Sequence, residues 1–117
     1  MPPDLSYDVV SLPDGRPCVA VTGRGANVYD VDGLVAATRP YFMAQQPFVV
    51  DFTGMRGVKN EYLAYFISTV VRELQGHHPD PIAYLQQSVV VRHRPRHQVR
   101  YGLERFVQLE EVPDPLP

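Results

Sequence analysis

PFVVDFTGMRGVKNEYLAYFISTVVREL, residues 47–74, decides the fold. Phe48 to Phe52 is a short run of apolar residues around Asp51, the kind of strand that is buried on both faces in a sheet carrying helices. Gly54 and Gly57 follow and read as a turn. From Asn60 the pattern changes period. Leu63, Phe66, Ile67, Val70, Val71 and Leu74 recur at i, i+3, i+4 and i+7, which places one apolar face on a helix ending before Gly76. A buried strand, a glycine turn and an amphipathic helix in succession form the basic unit of an α/β domain.

Working outward, Tyr7 to Leu12 and Cys18 to Thr22 flank the turn sequence Pro13-Asp14-Gly15-Arg16 and predict a hairpin. GRGAN, residues 23–27, reads as a loop. Asp30 is placed to cap a helix through Val31, Leu34, Val35 and Thr38 that should end or kink near Pro40. Downstream, PDPIAYLQQ (79–87) predicts a short helix or turn and SVVVRH a further strand. Pro95 suits the first turn of a last helix reaching Tyr101 and stopped by Gly102, and Phe106 to Leu109 reads as a closing strand. The expected architecture is α/β: a mixed sheet of four or five strands covered by helices, in a single domain over residues 1–110, with a loose acidic, proline-rich tail over 111–117.

Composition narrows the function classes. The chain has 117 residues, 44% of them hydrophobic and 21% charged, with a net charge of −2, a balance that points to neither disorder nor general affinity for nucleic acid. No apolar run is long enough to insert in a membrane, and MPPDLSYDVV lacks the basic-then-apolar pattern of a secretory leader, so a cytoplasmic protein is expected. Cys18, the single cysteine, lies among Val19, Ala20 and Val21 and reads as a small buried hydrophobe. No internal disulfide or multi-cysteine metal site can form.

In this order of elements, VVDFTGMRGV, together with CVAVTGRGANVYDVDGLVAATRPYF before it and VVVRHRPRHQVRYGLERFVQL after it, resembles a STAS domain, the module named from sulfate transporters and anti-sigma factor antagonists. The likeness spans roughly residues 7–110 and rests on the joint order of the motifs. It implies a bacterial regulator that works by protein binding, without catalysis or cofactor, through the start and outer side of the helix after the aspartate-ending strand. Its partner would be an anti-sigma factor of the histidine-kinase-type ATPase class, or alternatively the ATPase of an ABC-type transporter; homo-oligomerisation stays open. Where the family carries an Asp-Ser-Ser-Gly-Leu type motif with a phosphorylatable serine, this chain has Lys59, Asn60, Glu61, Tyr62 and Leu63. Only the leucine is kept, and neither Asn60 nor Glu61 can accept a phosphate.

The candidate partner-binding residues are accordingly Met55, Lys59, Asn60, Glu61, Tyr62 and Tyr65, with tyrosine a residue type that anchors protein interfaces. Thr53 and Ser68 are the remaining phosphate acceptors near that surface, Thr53 being favoured because it reads as part of the loop. Asp51 ends a strand where open α/β sheets bind ligands, but no neighbouring base or nucleophile elbow accompanies it, so no catalytic residue is assigned and Asp51 is expected to hold loop amides. His93 and His97 stand four apart with Pro95 between them, which argues against a shared metal. Arg92, Arg94, Arg96 and Arg100 form the basic stretch, an alternative site for phosphate or nucleic acid; nucleic acid is not the expected partner of a net acidic domain.

Overall fold

The hairpin expected at the turn Pro13–Arg16 opens the chain in a computed structural model, which describes residues 5–25, 30–97, 99 and 102–114. Strand β1 (Leu5–Ser11) pairs antiparallel with β2 (Pro17–Gly25). Asp14 sets the turn by accepting from both the amide and the side-chain Nε of Arg16. Then come α1 (Val31–Met43), β3 (Phe48–Gly57), α2 (Asn60–Leu74), α3 (Pro81–Ser88), β4 (Val89–His93), a short 3-10 turn at Leu103–Arg105, and β5 (Gln108–Glu111). The sheet runs β1-β2-β3-β4-β5, and β2 through β5 are parallel neighbours. This is the expected mixed α/β sheet, with five strands and three α-helices, compatible with a STAS-like arrangement. Because each parallel strand lies beside its predecessor and such crossovers share one hand, the helices fall on a single face.

Alternation along the strands sorts the side chains. Val19, Val21, Phe48, Val50, Phe52, Val89 and Val91 point to the helices and join Leu34, Val35 and Phe42 of α1 and Leu63, Phe66, Val70 and Leu74 of α2 in the main core. The opposite face carries a small cluster of Cys18, Val49 and Val90 with Leu12 against it. Gly33 in α1 is required by closeness: a Cβ there would stand 2.8 Å from the ring of Tyr7. The Tyr7 hydroxyl in turn donates to the carbonyl of Asp30 at 3.2 Å, tying β1 to the start of α1. A bidentate pair between Arg39 and Glu73 (2.8 and 3.1 Å) ties α1 to α2.

The structure departs from the sequence-based expectations in four places. α1 continues through Pro40 to Met43, because Pro40 and Ala36, whose carbonyl loses its partner, both face solvent. β3 does not turn at Gly54 but runs on to Gly57, and β2 likewise absorbs Gly23, Arg24 and Gly25; the two glycine-bearing segments pair with each other, Gly23 against Met55 and Gly25 against Gly57. After Pro95, residues 95–97 form a turn, not a helix, and the 3-10 turn comes after Gly102. Finally, the closing strand starts at Gln108 and takes in Glu111, and the Val112 amide donates to His93 O at 2.7 Å, so the first residues of the expected tail are part of the sheet edge.

Candidate functional site

α2 is where the sequence placed a docking face. Its buried side is the predicted one, Leu63, Phe66, Ile67, Val70 and Leu74, with Val71 half-buried. Of its exposed residues, Glu61, Tyr65, Ser68 and Arg72 stand at i, i+4, i+7 and i+11 and so form one stripe along the helix, with Ala64 exposed beside it. Tyr65 keeps 49% of its surface exposed. Lys59, the cap residue, is exposed and Asn60 is half-buried, its Oδ1 without a hydrogen bond among the described residues.

Two of the expected contact residues cannot touch a partner. Tyr62 is fully buried, its ring edge-on to Phe52 at 6.0 Å and its hydroxyl among Tyr7 and Asp30, so that burial pushes its phenol far above the usual range. It lies on the flank of α2 that meets the start of α1, which helical period alone does not reveal. Met55 is fully buried as well. Between β2 and β3 the register shifts, Ala20 facing Asp51 but Thr22 facing Gly54; β3 therefore holds one extra residue, and Met55 is turned to the helix side.

Beside the exposed stripe runs an apolar groove of about 440 Å³ between α2, α3 and the 3-10 turn. Ala64, Ile67 and Val71 form its floor along α2, Ile82, Leu103 and Phe106 its far wall, and Arg72 its one charged rim residue. Ile82 is 40% exposed. The sequence offered no signal for this wall, since Ile82 and Phe106 come to α2 only through the packing of distant segments.

Thr53 is not in a loop. It sits inside β3, where its amide (2.8 Å) and its hydroxyl (2.6 Å) both donate to Asp51 Oδ1. The aspartate thus holds the backbone locally, as expected of it. A phosphate on Thr53 Oγ1 would stand directly against that carboxylate, which makes Thr53 the poorer acceptor. Ser68 is exposed on α2, one turn from Arg72.

The arginine stretch is dispersed and largely occupied. Arg92 faces the helix-free side of the sheet, with Nε 3.3 Å from Glu110 Oε1 but poorly aligned for a hydrogen bond. Arg94 Nε donates to Thr53 O at 3.4 Å, and its Nη1 donates to Pro113 O. Arg96 donates to Arg56 O (3.3 Å) and Met55 O (3.0 Å) and pairs with Asp114 at 2.6 Å. Arg100 lies outside the described residues. β4 pairs with β3 only from Phe48 to Asp51; beyond that point the side chains of the turn 94–97 reach the carbonyls of Thr53, Met55 and Arg56.

His97 completes this arrangement. Its Nδ1 accepts from the Arg94 amide and its Nε2 donates to Met55 O, both at 3.0 Å, which fixes the neutral Nε2–H form. Burial holds its pKa below the usual value, and the charge of Arg96 adds to the effect. His93 uses Nδ1 to donate to Arg94 O. Among the described residues, no group of three or more histidine, cysteine, aspartate and glutamate side chains is arranged for a metal ion, and no helix is long and apolar enough to cross a membrane.

No protein-family model matches this chain, and a search of curated proteins finds no match.

Proposed function

We propose that this chain is a non-catalytic, cytoplasmic protein-binding domain of the STAS type, most simply a regulator resembling an anti-sigma factor antagonist without the usual phosphorylatable serine. The observation that supports it is the continuity of the exposed stripe Glu61, Tyr65, Ser68, Arg72 with the apolar groove beside it. An aromatic anchor next to an apolar trough is the pattern of a surface that takes an amphipathic protein segment. Arg72, the single charge on the rim, favours a partner segment carrying an acidic residue beside its apolar ridge. The histidine-kinase-type ATPase and the transporter ATPase implied by the resemblance would both dock here.

The test is a pull-down from the native host followed by calorimetry of the purified pair. Tyr65→Glu places a charge among contacts that lose their water and is expected to weaken binding by about 2 kcal/mol or more. Arg96→Glu, whose side chain is engaged with β3 and Asp114, should do much less to the same complex. Unchanged affinity for Tyr65→Glu, in a variant with the native circular dichroism, would remove α2 as the docking face.

A further inference from the structure

At the end of the sheet where β2 and β3 run out together, a depression of about 430 Å³ is lined by Gly23, Arg24, Gly54, Met55, Arg56 and Arg96. Arg24 and Arg56 are brought level by the register that pairs Gly23 with Met55 and Gly25 with Gly57. Both are exposed, and neither has an ion-pair partner among the described residues. Like charges at opposed positions on neighbouring strands destabilise a sheet. Nothing in the local packing requires two guanidiniums there, and unexplained local costs of this kind mark functional positions. Arg96, the third, is held rigidly by Met55 O and Arg56 O. Its Nη1 already carries a carboxylate, that of Asp114, at 2.6 Å; the same oxygen lies 4.0 Å from Arg94 Nε. Among the described residues the site therefore has one internal anion for its cluster of cations. It also lies at the carboxyl ends of parallel strands, where open α/β sheets take their ligands, and its volume suits a small molecule.

We propose that Arg24, Arg56 and Arg96 form a binding site for a small phosphate monoester, the phosphate bridging the guanidiniums of Arg24 and Arg56 and competing with Asp114 for the third. Planar guanidinium forks suit phosphate oxygens, and a dianion would relieve the repulsion between Arg24 and Arg56. Of the described residues in the arginine stretch singled out in the sequence, only Arg96 lines the depression; Arg24 and Arg56 come from the two glycine-bearing segments. The site is separate from the α2 face, and its test stands apart from that of the docking reading.

The experiment is calorimetric titration of the full chain with inorganic phosphate and with ribose 5-phosphate, against chloride at matched ionic strength. Binding to the native chain should be saturable and should weaken by about tenfold or more in Arg24→Ala and again in Arg56→Ala. Asp114→Asn should bind severalfold more tightly, and unchanged affinity in that variant would overturn the competition. Without phosphate, the Arg24→Ala, Arg56→Ala double variant should unfold at the same temperature as the native chain or a higher one. A lower midpoint would show the arginines to be structural and sink the proposal, as would equal phosphate affinity in the native chain and the double variant. Binding of single-stranded RNA through these arginines, with neither phosphate compound bound, would replace the small ligand by a nucleic acid.

Discussion

His97 Nε2 donates to the carbonyl of Met55, 3.0 Å away and 42 residues earlier in the chain, while its Nδ1 accepts from the Arg94 amide. A protonated ring could not accept at Nδ1, so folding favours the neutral form and lowers the pKa from its ordinary 6.5, burial being the main cause. As pH falls below about 6.5, the unfolded chain takes up a proton that the folded chain refuses until lower pH; stability drops through this window and is constant above it. Urea unfolding at pH 8 and at pH 5.5 measures the loss. His97→Leu should be less stable at pH 8 by about 1–3 kcal/mol, since it leaves the Arg94 amide without its acceptor and takes one of two donors from Met55 O, yet should lose less than the native protein on acidification.

Phe66 and Tyr62 test the two buried flanks of α2. Phe66→Ala should cost about 3–5 kcal/mol, because the side chain is fully buried between helix and sheet. Tyr62→Phe removes a buried hydroxyl that lies near Tyr7 but makes no well-formed hydrogen bond among the described residues, and should change stability by less than about 1 kcal/mol, in either direction. Denaturant titration decides both, and a clear loss in Tyr62→Phe would reveal a partner for the hydroxyl.

Asp51→Asn keeps the shape but weakens two charge-assisted hydrogen bonds from Thr53, at 2.8 and 2.6 Å. A loss of about 1–2 kcal/mol is expected, with faster amide exchange at Thr53. A loss of some turnover in this variant with no loss of stability would speak for catalysis and against the binding-only function proposed.

Ser68 is the acceptor that the geometry favours for any charge-based switch, since it is exposed on the proposed docking stripe beside the groove. Ser68→Glu should leave the fold intact and weaken partner binding by about 1–2 kcal/mol through desolvation of the new charge. Mapping of phosphopeptides after incubation with the partner kinase should find Ser68 modified in preference to Thr53, and the reverse order would show that the Asp51 contact opens readily.

Residues 47–74 determined by themselves that this is an α/β protein: the apolar strand, the helical period and the stop before Gly76 are local properties, and they reappear as β3 and α2. The hairpin was equally local, written in Pro13-Asp14-Gly15-Arg16. What lay beyond the sequence were consequences of distant segments meeting. Period puts Tyr62 beside the apolar face but cannot say that Tyr7 and the start of α1 will cover it. Gly54 and Gly57 read as a turn because, taken alone, they cost a strand entropy; the pairing with Gly23 to Gly25 and the hydrogen bonds from Arg94, Arg96 and His97 outweigh that cost. The same meeting of strands set Arg24 beside Arg56 and brought Arg94 and Arg96 onto the carbonyls of Thr53, Met55 and Arg56, because a side chain's role follows from the groups it reaches in space, and those lie about forty residues away along the chain.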